Sequence, residues 1–113
     1  MNEILQESFT SYKEYLEKMP NGCQSIADLL REDRTIEAGK SIGYFTEGMI
    51  WVLDMNKLLV KEGVVKPLKE EVILDYLSEV NNGLQIQDFV LVADMFEYEI
   101  KPFFELKLEE LAQ

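Results

Sequence analysis

Between Leu5 and Leu30 apolar residues recur in steps of four and three without an error: Leu5, Phe9, Tyr12, Leu16, Met19, Cys23, Ile26, Leu30. Such a seam runs along one side of an α-helix and has to be buried against other helices. The phase passes straight through Pro20-Asn21-Gly22, where a proline removes a backbone hydrogen bond and its ring crowds the preceding turn. The expectation is two collinear helices over about 2–18 and 22–32, or one bent rod. In either case the first helix is kinked or broken at Pro20–Gly22.

The polar stretch "REDRT" then reads as a turn, with Asp33 or Thr35 as N-cap of the next helix. That helix, from about 35 to 62, carries two seams. Ile42, Phe45, Met49, Val52, Asn56 and Leu59 form one; Tyr44, Gly48, Trp51, Met55 and Leu58 form the other. A helix apolar on two sides is central in its bundle or shared with another molecule. Gly39 and Gly43 are costly inside a helix unless something packs closely on them. Close helix–helix approach is the simple reading, and a backbone-lined ligand groove the sharper one.

Gly63 suits the C-terminal end of that helix, and Pro67 the first turn of a third. Val72 or Ile73, Tyr76 or Leu77, Val80 and Leu84 mark its single apolar face to about Ile86, unless "NNG" at 81–83 shortens it. Asp88 is a natural N-cap for a last helix reaching about Leu111. Strand-type alternation is absent from the pattern. The fold class expected is all-α, an antiparallel bundle of four to five helices in one domain, 1–113.

Bulk properties exclude several chemistries. The chain has 113 residues and no histidine, so Ser-His and Cys-His nucleophile pairs, histidine phosphotransfer and histidine-bearing zinc or di-iron sites are ruled out. With 22 acidic against 11 basic side chains, the net charge of −11 repels phosphate backbones and anionic lipid, so neither nucleic acid nor membrane is an expected partner. Lys57, Lys61, Lys66 and Lys69 gather round one loop as the basic patch on this acidic body. The polar N-terminus lacks the pattern of a signal peptide, and "MIWVLDM" is too short to span a bilayer. A lone Cys23 on the apolar seam fits a buried, inert thiol in a reducing, cytoplasmic setting.

The last helix carries the most ambiguous residues. On a wheel of 100° per residue, Phe89, Val92, Ala93, Phe96, Ile100, Phe103 and Phe104 share one face; Leu91, Met95, Tyr98 and Leu106 form an opposite one. Asp94, Glu97, Lys101 and Glu105 fall in the wedge between, where Glu97–Lys101 and Lys101–Glu105 form i,i+4 pairs. That is the pattern of a solvated edge carrying its own counter-ion. The competing reading is an oxygen-ligated Mg²⁺ or Mn²⁺ site, or an acid/base pair, using Asp94 and Glu97 with Asp54 facing them. Pro102 deprives the Tyr98 carbonyl of its helical donor, so a kink is expected there.

Within "QDFVLVADMFEYEIKPFFE", an Asp opening the final helix (Asp88), Ala93-Asp94, and Glu97-Tyr98-Glu99 before Pro102 resemble a family of small all-helical proteins from Gram-positive bacteria. "EGMIWVLDMN" at 47–56 is similar to a second element of that family. Phe96 stands where leucine is expected. The resemblance implies a helical fold and no established activity.

The function expected is a non-enzymatic interaction module, an adaptor or small acidic chaperone for a helical or basic protein segment. Two helices with two apolar sides each exceed what a four-helix monomer hides, so a homodimer is expected as well. Its interface residues would be Tyr44, Trp51, Met55, Leu91, Met95 and Leu106. No catalytic, cofactor-binding or metal residue is assigned. The alternative is small-molecule or metal binding within the bundle, with Gly39, Gly43 and Gly48 lining it and Asp54, Asp94 and Glu97 giving polar contacts.

Overall fold

The first helix, α1, spans Glu3–Arg31 without interruption in the computed structural model, which describes residues 2–112. Asn2 caps it, its side chain accepting from the Leu5 N–H at 2.8 Å. Pro20 lies inside the helix, so the expected break into two collinear helices does not occur. The seam explains why. Tyr12, Leu16, Met19, Cys23, Ile26 and Leu30 are all buried, on both sides of the proline. Burying one such side chain is worth about 1.5–3 kcal/mol, so keeping the phase across Pro20 offsets the roughly 3 kcal/mol a helix-interior proline costs.

α1 ends at Glu32, and Asp33 turns the chain back with φ 60. The Asp33 N–H donates to the Leu30 carbonyl and the Arg34 N–H to Leu29, a Schellman closure. Asp33 therefore belongs to the end of α1. The N-cap of α2 is Arg34, which makes no side-chain cap bond, and not Asp33 or Thr35. α2 spans Thr35–Lys61 and ends the same way, with Gly63 at φ 73 as expected.

Contacts run in opposite order along the two helices: Tyr12 meets Asn56, Tyr15 meets Trp51, and Gly22 meets Phe45. α2 is therefore antiparallel to α1. The last helix, α4, occupies 89–112 as three consecutive segments: α-helical Phe89–Asp94, π-helical Met95–Ile100, and α-helical Lys101–Ala112. It too is antiparallel to α1, since Arg31 meets Asp94 and Gln24 meets Lys101. α1 is thus the central rod, with α2 and α4 against it; α2 packs chiefly on α1 and reaches α4 through Phe45, whose ring meets Phe96 at 5.3 Å. Of the two readings the second seam of α2 left open, central in the bundle or shared with another molecule, the first does not hold.

α3 spans Glu70–Gln85 and lies against α4, with Tyr76 on Phe103 and Gly83 on Val92. It runs through Asn81-Asn82-Gly83 undisturbed, because a β-carbon on Gly83 would stand 2.7 Å from Val92: the glycine is there for close packing. Pro67, however, does not start α3. Asn56, buried on α2, donates to the Lys66 carbonyl at 3.2 Å and accepts from the Leu68 N–H at 3.1 Å. Those two bonds hold 66–68 out of helix against the core and delay α3 to Glu70. Among the described residues there are four helices and no strand, in a body of 46 × 22 × 22 Å. No described helix is long and apolar enough to cross a membrane.

Candidate functional site

Two places gather the residues singled out above. The first is the wedge on α4. Val92, Phe96, Ile100 and Phe104 are fully buried at a strict spacing of four. In an α-helix such a row drifts by about 40° per step. The π-helical turn, where the Lys101 N–H donates five residues back to Phe96, adds one residue and returns the row to the core. It also lies directly before Pro102, whose ring would otherwise crowd the Tyr98 carbonyl. Met95, one turn after Val92 and 60° from it on the wheel, is only 6% exposed, so it is a core residue and not part of an outer face.

The wedge acids find a counter-ion, but not the expected one. Arg31, at the end of α1, donates to Glu97 at 2.6 Å and to Asp94 at 3.1 Å. Gln24 donates to Glu97 at 2.7 Å and to Asp28 at 2.9 Å, and accepts from Lys101 at 3.0 Å. Lys101 thus joins the cluster through Gln24, and the Glu97–Lys101 and Lys101–Glu105 ion pairs do not form. Bonds from Gln24, Arg31 and Tyr98 hold the Glu97 carboxyl down at about 2. The Arg31 guanidinium also lies 5.9 Å from the Tyr98 ring centroid. Among the described residues no three His, Cys, Asp or Glu side chains meet as a metal site requires, and Asp54 does not join Asp94 and Glu97. The cluster ties α1 to α4. Cys23 is buried beside it, its thiol pushed up to about 12 by burial.

The second place is the α1–α2 surface. Gly48 is a notch in α2: a β-carbon there would collide with the Tyr15 hydroxyl, the tip of a side chain that crosses the helix at that point. One turn on, Trp51 packs on Tyr15 at 5.4 Å between centroids. One turn back, Tyr44 is 71% exposed, while Trp51 is 37% exposed. Tyr15 and Tyr44 also border a groove of about 260 Å³ between the helices, with buried Met19, Ile26 and Phe45 beneath and the small residues Gly22, Ser25 and Ser41 leaving the space. Met55 is half-buried, and Ile36, Ile50 and Leu58 add exposed apolar surface to α2.

Gly39 and Gly43 lie on this outer surface with nothing near them, so close approach within the chain does not account for them. Leu91 and Leu106 are exposed on α4, which is not the helix that borders the groove. Of the six expected interface residues, the structure therefore places Tyr44, Trp51 and Met55 together on α2, Leu91 and Leu106 on α4, and Met95 inside. Tyr15 was missed. Its signal was there, in a tyrosine flanking the α1 seam and a glycine interrupting the α2 seam.

A family model described as a domain of unknown function (DUF8042) matches residues 7–109. The chain belongs to that family. The DUF8042 match takes in α1 from its second turn, all of α2 and α3, and α4 up to its last turn, so both places lie within it. No curated protein and no solved structure matches the chain.

Proposed function

We propose that this DUF8042 chain is a non-enzymatic protein-interaction module, an adaptor or small acidic chaperone acting in a reducing, cytoplasmic setting. It takes a helical or basic segment of another protein across the α1–α2 groove and the outer face of α2. The observation that carries the reading is the aromatic set on the α1–α2 surface, where Tyr15 and Tyr44 border the groove and Trp51 packs on Tyr15, beside an outer face of α2 that also exposes Ile36, Ile50 and Leu58. Aromatic side chains beside a pocket are the usual anchors of a protein contact. The net charge of −11 favours a basic partner. The groups available for chemistry support the same reading: Glu97 stays ionised down to about pH 2, and burial keeps the Cys23 thiol protonated up to about pH 12. Neither titrates where an acid/base catalyst or nucleophile has to.

The test compares wild type with a Tyr44→Ala/Trp51→Ala double variant in cross-linked capture from native lysate, read by mass spectrometry. A protein enriched by the wild type and reduced roughly tenfold or more by the variant is expected, with the variant still folded by circular dichroism at the capture temperature. Identical captured sets would overturn the reading.

A further inference from the structure

A cavity of about 220 Å³ lies at the other end of the molecule, between α1, the 64–68 segment and the end of α4; its wall includes Phe9, Tyr12, Leu16, Val65, Lys107 and Leu111. Tyr12 is only 2% exposed, and its hydroxyl has one partner among the described residues, the Asn56 amide at 3.0 Å. The direction of that bond is fixed by the other two that Asn56 makes. Its Oδ1 takes the Leu68 N–H, so its Nδ2 faces both the Lys66 carbonyl and the Tyr12 oxygen. Both Nδ2 protons are thereby spent, and Tyr12 has to be the acceptor. Its own proton has no acceptor among the described residues. Burial raises the Tyr12 pKa above its ordinary range, so the group is a phenol and a donor at neutral pH. A buried donor without an acceptor costs about 1–3 kcal/mol.

We propose that this cavity binds a small neutral molecule with an apolar body and one acceptor oxygen, a carbonyl or ether that takes the Tyr12 proton. Size sets the body: an apolar cavity of about 150 Å³ holds benzene, so this one takes roughly six to ten heavy atoms. Charge sets the head group. Lys66, Lys107 and Glu110 border the cavity; Lys107 is paired with Glu110 at 3.4 Å and Lys66 is exposed to solvent, so neither ammonium is held for a buried anion, and the chain's net charge of −11 disfavours one further. The site is separate from the α1–α2 groove and does not depend on the interaction reading.

The experiment titrates the whole chain with acetophenone, with ethylbenzene (nearly the same shape, without the oxygen) and with benzoate, following backbone amide signals of 64–68 by NMR. Acetophenone is expected to saturate and to bind about three- to tenfold tighter than ethylbenzene, the worth of one neutral hydrogen bond. Tyr12→Phe removes that preference, and Val65→Trp, which fills the cavity without touching Asn56, abolishes both. If Tyr12→Phe fails to fold, the wild-type pair and Val65→Trp still decide. Absence of saturable acetophenone binding, equal affinity for the two neutral probes, or benzoate binding tightest would each overturn the proposal.

Discussion

Glu97 shows how a surface acid becomes structural. Its neighbours in sequence offered Lys101 as counter-ion, yet its partners come from α1: Arg31 and Gln24, 66 and 73 positions away. The hydrogen bonds depress its pKa to about 2, below the ordinary 4.5 that the unfolded chain retains. On acidification the unfolded state therefore takes the proton first. The stability that Glu97 contributes is complete above the unfolded value and is lost as pH falls from there through about 2. Urea midpoints measured between pH 6 and pH 2 should drop across that window, and Glu97→Gln should flatten the drop. An unchanged pH profile in the variant would remove Glu97 from the α1–α4 tie. Arg31 was hard to foresee: it opens "REDRT", which reads as a turn, and only the packing of α1 on α4 gives it a task.

At the scale of elements, most of the fold was legible. The α1 seam, the two seams of α2, the Gly63 stop and the Asp88 cap (its side chain accepts from the Leu91 N–H at 3.1 Å) all came from period and punctuation. What was not legible depends on contacts between elements or on departures from the ideal wheel. Asn56 overrides Pro67 through two hydrogen bonds, the π-helical turn keeps Ile100 and Phe104 in the core, and the core face of α4 is broad enough to take in Met95. A signal for that turn existed in the row Val92, Phe96, Ile100, Phe104, whose spacing of four suits a wider turn, with Pro102 just beyond. The glycines separate by the same logic. Gly83 faces Val92, so Gly83→Ala should destabilise the chain by about 1–3 kcal/mol through overpacking. Gly39 and Gly43 meet nothing, so alanine at each should stabilise it by about 0.5–1 kcal/mol. Chemical denaturation of the three variants checks the signs. Because the fold gains nothing from Gly39 and Gly43, loss of partner capture in a stabilised Gly43→Ala variant would tie them to the surface proposed for binding.

For the whole molecule the open matter is what covers the outer face of α2. Two occupants are compatible with an exposed row of Ile36, Tyr44, Ile50, Trp51 and Leu58: a second copy, as the homodimer expectation has it, or a basic segment of another protein. Electrostatics separates them. Each copy carries −11, so two copies repel at long range, and added salt screens that repulsion while leaving apolar burial intact. Self-association through this face should therefore strengthen between 50 mM and 500 mM NaCl (roughly a threefold change in screening length). A basic partner is drawn in by the same charge and should bind more weakly over that range. Sedimentation equilibrium of the wild type and of Trp51→Ala at both salt concentrations measures the first occupant directly. A dimer that tightens with salt and is weakened by Trp51→Ala assigns the α2 face to a second copy. A monomer at both concentrations, up to about 100 μM, removes the second copy as occupant and turns the test to the proposed basic segment, for which the row's exposed apolar side chains would provide the buried area.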